Sequence, residues 1–258
     1  MDITVDELVN YGKPLIVKDK EFFPAEAYVT PFLERLQKVT NDFTVKVQLP
    51  DIITKSKEEN ELDRGFVRVW IQAVLPPSYR IDNHDEVIGM VYGLDVRKPI
   101  VKFYRGGLNA ACTNLCVFDP KYLDVQELEE NSAIDYKPLD NILSKPNEIK
   151  VFLNKLHTIG FSRDNENINE NLGKWIRNCL NIPYNNGVGN IKLSKSMPID
   201  AYQLLFEKSD SPYYVPVDRN TDMFNVYNAF TQLISNDKDK DIMNKCEKTL
   251  LLNNILGI

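Results

Sequence analysis

Alternation of apolar and polar residues dominates the first half of the chain. In 66–75, FVRVWIQAVL, the residues Val67, Val69, Ile71, Ala73 and Leu75 fall on one side of an extended chain. Phe66, Arg68, Trp70, Gln72 and Val74 fall on the other, because successive side chains of a strand point to opposite faces. The first side is wholly apolar and belongs against a core. The second is mixed and suits a half-exposed face or a groove. Pro76 and Pro77 end the run, since neither can donate to a ladder. A weaker alternation over 43–49, FTVKVQL, predicts another strand, closed by Pro50 and Asp51. Further strands are expected over 87–94, 100–104 and 112–118, with turns at Asp95, Lys98–Pro99 and Arg105–Gly106–Gly107. No segment of crossover length separates them, so the pairing should be mostly antiparallel.

Beyond residue 120 the period becomes helical. Ile149, Phe152, Leu153 and Leu156 mark one helix face, and Ile168, Leu172, Trp175, Ile176 and Leu180 mark another over 167–180, stopped near Pro183. Residues 184–190, YNNGVGN, read as a flexible loop, and a third helix is expected through Ala201–Phe206. Met223, Val226, Tyr227, Phe230 and Ile234 form one stripe, and Ile242, Met243, Cys246, Leu250 and Leu251 begin a second. With the charged turn Asp237–Asp241 between them, they predict an α-hairpin. At the other end the chain reads as an N-terminal arm and a short helix, capped by Thr30 with Pro31 at its first position. Phe32, Leu33, Leu36 and Val39 supply its apolar stripe.

The fold class is therefore α+β: a mostly antiparallel β-sheet in the first half, over 41–118, packed with a helical second half, over 146–256. One composite domain over 1–258 is expected, because the sheet needs a cover for its inner face. Pro120, Pro138 and several acids over 119–145, with Pro146 just beyond, mark the joint. Residues 55–64, KSKEENELDR, carry seven charged side chains in ten positions and read as a solvated loop or flap.

Composition narrows the function classes. The 258 residues are 43% hydrophobic with a formal net charge of −6, which fits a folded chain rather than a disordered one. The charge offers no global basic surplus for counterion release, so nucleic-acid binding would need a local basic patch. The opening residues, MDITVDELV, lack the basic and apolar pattern of a signal peptide, and no run approaches the ~18 apolar residues of a membrane span. A cytoplasmic protein with free thiols at Cys112, Cys116, Cys179 and Cys246 is expected. No phosphate loop, dinucleotide fingerprint, zinc-protease, CxxC or nucleophile-elbow motif is present, and no metal or cofactor is expected.

Two polar clusters lie between the strand-like segments: Asn83–His84–Asp85 and Cys112–Thr113–Asn114. A carboxylate beside a histidine can fix its tautomer, but neighbours on a strand point apart. Cys112 and Cys116, four apart, share a strand face and read as small buried thiols. The sheet half is also locally basic. Arg68, Arg80, Arg97, Lys102 and Arg105 could contact phosphates while Trp70 and Tyr104 stack on bases.

The two polar clusters, together with Tyr79–Arg80, resemble elements of a phage- and plasmid-associated family of unknown function, the DUF932-type family. That family carries a His-Asp element after a central strand, a Cys-Thr-Asn element at the end of a following strand, and an Asn-Ala pair in a C-terminal helix. Here the last is similar to Tyr227–Asn228–Ala229–Phe230, followed by Lys248–Thr249–Leu250–Leu251. The chain differs in having Glu86–Val87 where the family has Gly and a small hydroxyl residue, and Asn109–Ala110–Ala111 where it has an Arg-Val-Val run. The resemblance implies a mobile-element origin and work in DNA metabolism or host conflict.

Three readings follow. The favoured one is a non-enzymatic phage- or plasmid-derived accessory protein that binds nucleic acid, single-stranded DNA above all, through a basic and aromatic sheet surface. The second is a modulator or inhibitor that binds a host or phage protein. The third is an unfamiliar enzyme using His84, Asp85 and Cys112.

Overall fold

Five strands in sequence order, each antiparallel to the next, form most of a central sheet, and the helices gather in the second half. The structure, a computed structural model, describes residues 2–50, 66–109, 114–161, 182–216, 219–237 and 239–258. The chain opens with β1 (Asp2–Ile3), α1 (Val5–Val9), a hairpin of β2 (Leu15–Val17) and β3 (Lys20–Phe22), and α2 (Ala25–Gln37). It continues through β4 (Thr44–Gln48), β5 (Arg68–Val74), β6 (His84–Gly93), β7 (Ile100–Asn109), β8 (Leu115–Cys116) and β9 (Leu123–Glu127). The sheet order is β1-β4-β5-β6-β7-β8, and β9 also pairs with β7, at the end away from β8. The second half holds α3 (Lys137–Ser144), α4 (Ile149–His157), β10 (Gly160–Phe161), β11 (Tyr184–Asn185), β12 (Asn190–Ile191), α5 (Met197–Phe206), β13 (Thr221–Asp222), α6 (Met223–Ser235) and α7 (Lys245–Leu256).

The alternation in β5 decides what each sheet face buries. Val69, Ile71 and Ala73 join Ile88, Met90 and Tyr92 of β6 and Val101 and Phe103 of β7. All of them pack on Tyr28, Val29, Phe32 and Leu36 of α2. Trp70, Val87, Val91, Tyr104 and Leu108 face the other way and meet Ile242, Met243, Cys246 and Leu250, at and before the start of α7. Covered on both faces, β6 reads as a nearly continuous apolar run from Val87 to Leu94 instead of alternating. A third cluster packs α4, α5, α6 and α7 together around Cys116 and Phe118.

Several elements differ from the sequence-based expectation. The N-terminal arm is folded: β1 pairs with β4, and Thr4 and Glu7 close a capping box on α1. Thr30 does not cap a helix, because α2 starts at Ala25 and carries Pro31 inside it. Burial of Ala25, Tyr28 and Val29 extends the helix across the proline. Arg105, Gly106 and Gly107 do not turn; they lie inside β7, paired with Ile88, Val87 and Glu86. A Cβ on Gly106 would stand 2.3 Å from the Cys116 carbonyl oxygen, so glycine is needed there for close approach of β8. The stretch 119–145 contributes β9 and α3, and YNNGVGN forms the β11–β12 hairpin with Gly187 at φ +80°. The charged segment 55–64, the helix expected over 167–180, and Cys112 and Thr113 lie outside the described residues.

Candidate functional site

The cationic and aromatic residues singled out from the sequence do not share one solvent-facing groove. Arg68 makes a two-point contact with Asp95, Nε to Oδ1 at 3.0 Å and Nη2 to Oδ2 at 2.8 Å. Arg80 pairs with Asp85 at 2.5 Å. Arg105 pairs with Glu86 and donates from Nη1 to the Lys145 carbonyl at 2.7 Å, which closes the C-terminal end of α3. Arg97 is exposed in the β6–β7 connection. Lys102 is 1% exposed, pairs with Glu247 of α7 and donates to the Met243 carbonyl. Tyr104 is fully buried and its hydroxyl accepts from Trp70 Nε1. Phosphate contact by Lys102 and base stacking on Tyr104 are thereby corrected. The even-numbered residues of β7 point at the C-terminal helical segment, which covers this sheet face.

Trp70 itself lines a pocket of about 270 Å³. Cross-strand pairing builds its floor: Lys46 lies opposite Gln72, and Gln48 opposite Trp70. Leu108 adds apolar wall, and Ser235, Asn236 and Lys245 close it from the ends of α6 and α7. The Lys245 ammonium sits 5.1 Å from the Trp70 ring centroid and donates to the Ser235 carbonyl at 2.6 Å. That carbonyl belongs to the last residue of α6, the negative end of its dipole. Gln72 is 9% exposed and its side chain lies toward the Tyr104 hydroxyl. Burial pushes the Tyr104 phenol well above its ordinary value, and hydrogen bonding from Trp70 and Gln72 opposes the rise. Among the described residues, the lining carries two lysines, three side-chain amides and a hydroxyl, with no carboxylate.

This is the mixed face of β5 that the sequence pattern assigned to a groove or half-exposed surface. Its other half was not identified from sequence. Lys46 and Gln48 stand on the exposed side of β4 at i and i+2, a spacing that could have marked them. Ser235, Asn236 and Lys245 come from the far end of the chain and leave no local signal.

The two polar clusters do meet, at a different place. His84 opens β6 directly opposite Asn109, and the Asn109 N–H donates to the Asn114 carbonyl at 3.0 Å. Asn228 of α6 joins them: its Oδ1 accepts from Asn109 Nδ2 at 3.1 Å, and its carbonyl accepts from Asn114 Nδ2 at 3.0 Å. Asn114 Nδ2 also donates to the Tyr213 hydroxyl at 2.9 Å. Farther along, the Val117 N–H donates to Thr249 Oγ1 at 3.2 Å. Segments around His84, Asn114, Asn228 and Thr249, far apart in sequence, thus converge on one end of the sheet.

His84 is fully buried, edge-on to Phe224 at 5.6 Å. Neither of its ring nitrogens, nor Asn114 Oδ1, has a hydrogen-bond partner among the described residues. Burial lowers the imidazole pKa to about 4, against the pull of Asp82 and Asp85. Asn83 is an exposed turn residue after Asp82, which takes φ +50°. Asp85 leaves β6 on the face opposite His84, toward Arg80. His84 and Asp85 therefore do not join in one catalytic pair, contrary to the enzyme reading. His157 stacks on Phe224 at 4.2 Å, and its Nδ1 lies 2.7 Å from Asp222 Oδ2. Asp222 also caps α6 by accepting from the Asn225 N–H. Cys116 is a buried free thiol whose pKa burial raises to about 12, so it is inert as a nucleophile. Among the described residues, no three His, Cys, Asp or Glu side chains gather as a metal site would require. No helix among them is long and apolar enough to cross a membrane.

Compared with protein-family models, curated proteins and solved structures, the chain matches none.

Proposed function

We propose that the protein is a non-enzymatic nucleic-acid-binding protein of phage or plasmid origin. In this reading it works in the cytoplasm and takes single-stranded nucleic acid at the pocket between β4, β5 and the α6–α7 connection. One observation carries the reading: an acidic chain, net −6, has here a concavity lined, among the described residues, by two lysines and no carboxylate. Charge of one sign in a cleft with low-dielectric walls concentrates ligands of the other sign. The His84 end of the sheet supports a structural reading, since its asparagines are engaged in joining β7, β8 and α6.

Anisotropy of a labelled single-stranded oligonucleotide, titrated over a range of salt, tests the proposal. Lys46→Ala should weaken binding and flatten the salt dependence by about 0.7 in log–log slope, the share of one phosphate contact on a single strand. Arg97→Ala, a cation away from the pocket, should leave both unchanged. Absence of binding by the unaltered protein at low salt would reject the proposal.

A further inference from the structure

We propose that Asn186 is a site of spontaneous deamidation, and that the fold holds the reaction back until the β11–β12 hairpin lifts from α7. This inference stands apart from the nucleic-acid reading. Asn186–Gly187 is the one Asn–Gly pair in the 258 residues. Glycine puts no side chain in the way of its own nitrogen, so that nitrogen can reach the preceding carboxamide. Both residues lie in the turn of the hairpin, where Gly187 is exposed and takes φ +80°.

The reaction needs water and no other partner. The Gly187 nitrogen gives its proton to solvent and forms a bond to Asn186 Cγ. The Cγ–Nδ2 bond breaks, and Nδ2 takes up a proton and leaves as ammonia. A five-membered succinimide remains. Water then opens either ring carbonyl, which yields aspartate or isoaspartate. No electron is transferred.

The fold engages the nucleophile, the carbonyl oxygen and the leaving nitrogen together. The Gly187 N–H donates to Asn185 Oδ1 at 2.9 Å. Asn186 Oδ1 accepts from the Val188 N–H at 3.0 Å and the Gly189 N–H at 2.9 Å. Nδ2 donates to Glu247 Oε1 at 2.9 Å. Glu247 is fully buried and paired with Lys102, so this acceptor is fixed in α7 and not on a wandering side chain. Tyr184 and Val188 pack beside it on the apolar cluster that includes Cys246 and Leu250. As Cγ becomes tetrahedral, its oxygen and nitrogen leave the plane that these bonds define. The reaction therefore proceeds from an opened hairpin, at a rate that follows how often it opens.

The product does not suit the place where it forms. Aspartate at 186 sets a carboxylate where an amide donor met Glu247, and two carboxylates so close are driven apart or made to share a proton. Isoaspartate lengthens the backbone by a methylene and disturbs the pairing of Asn185 with Asn190. A converted hairpin stays loosened from α7, which makes the site an irreversible switch.

Peptide mass spectrometry of the full chain, aged at mildly alkaline pH with and without urea, tests this. The folded parent should convert at Asn186 at least about tenfold more slowly than the unfolded parent. Asn185→Ala, an exposed substitution whose thermal transition is checked against the parent, frees the Gly187 N–H. It should convert about fivefold faster than the parent in the fold, the share of one hydrogen bond, and at the parent's rate in urea. Asn186→Asp, the product made directly, should lower the thermal transition by about 3 °C or more. No conversion at Asn186 in urea would overturn the site. Folded conversion as fast as in urea, or faster, would overturn the restraint and assign the Val188 and Gly189 N–H groups to oxyanion stabilisation. Folded Asn185→Ala converting no faster than the parent would also overturn the restraint. An Asn186→Asp protein as stable as the parent would overturn the switch and leave the modification site standing.

Discussion

His84 places an ionisable ring where water cannot reach it, and the consequence is a stability that depends on pH. Its pKa is about 4 in the fold, lowered first by burial, against about 6.5 in an unfolded chain. Above pH 6.5 both states hold the neutral ring and its contribution is fully present. As pH falls from 6.5 toward 4, the unfolded chain takes up the proton and the fold does not, so stability is lost. The loss approaches about 3 kcal/mol at the lower limit. His84→Phe should remove this component, and urea denaturation from pH 7 to pH 4.5 would reveal it as the difference between the two proteins. Parallel curves would show that His84 is not the group responsible. The sequence made His84 conspicuous but suggested Asp85 as its companion. Strand alternation sends Asp85 toward Arg80 instead, and the companions that matter, Asn109, Phe224 and Asn228, come from β7 and α6.

Between neighbouring strands, glycine governs how side chains cross. Gly89 lies opposite Tyr104 in the β6–β7 ladder, and a Cβ there would stand 1.9 Å from the tyrosine ring. The ring lies across the bare backbone of β6 and reaches Trp70 on β5. Gly89→Ala should therefore destabilise the protein by about 1–3 kcal/mol through overpacking. In a Tyr104→Leu background, which lacks the clashing atoms, the same substitution should cost clearly less, and a thermal double-mutant cycle would measure that coupling. Additive costs would mean that the ring does not set the requirement. The strands themselves were legible from alternation, most clearly in β5, because their periodicity is local. Gly106–Gly107 was misread as a turn because glycine marks turns and close approaches alike. The atom that demands Gly106 is a carbonyl on β8, and the local run does not reveal it.

The strand-rich and helical halves are fastened by charge as well as by apolar contact. Lys102 of β7 and Glu247 of α7, 1% and 0% exposed, form an ion pair, and Asn186 of the β11–β12 hairpin donates to the same carboxylate at 2.9 Å. Three parts of the chain thus meet on one buried side chain. From sequence, Lys102 looked like a surface cation because it sits between apolar residues on a strand with no visible partner. Its partner lies 145 positions later, as 247 minus 102, and only the tertiary fold shows the burial. Burying two charges is expensive, whereas removing one partner strands the other. Lys102→Met should therefore destabilise the protein by about 3–5 kcal/mol, and Lys102→Met with Glu247→Leu should recover most of that loss. If the two halves form one cooperative unit, far-UV circular dichroism and tryptophan fluorescence should give coincident urea transitions in the parent and in the double variant. A double variant no more stable than Lys102→Met would show that the stranded charge is not the source of the cost. Separate transitions in the parent would show that the sheet and the helices unfold as independent units, joined by this contact without depending on it.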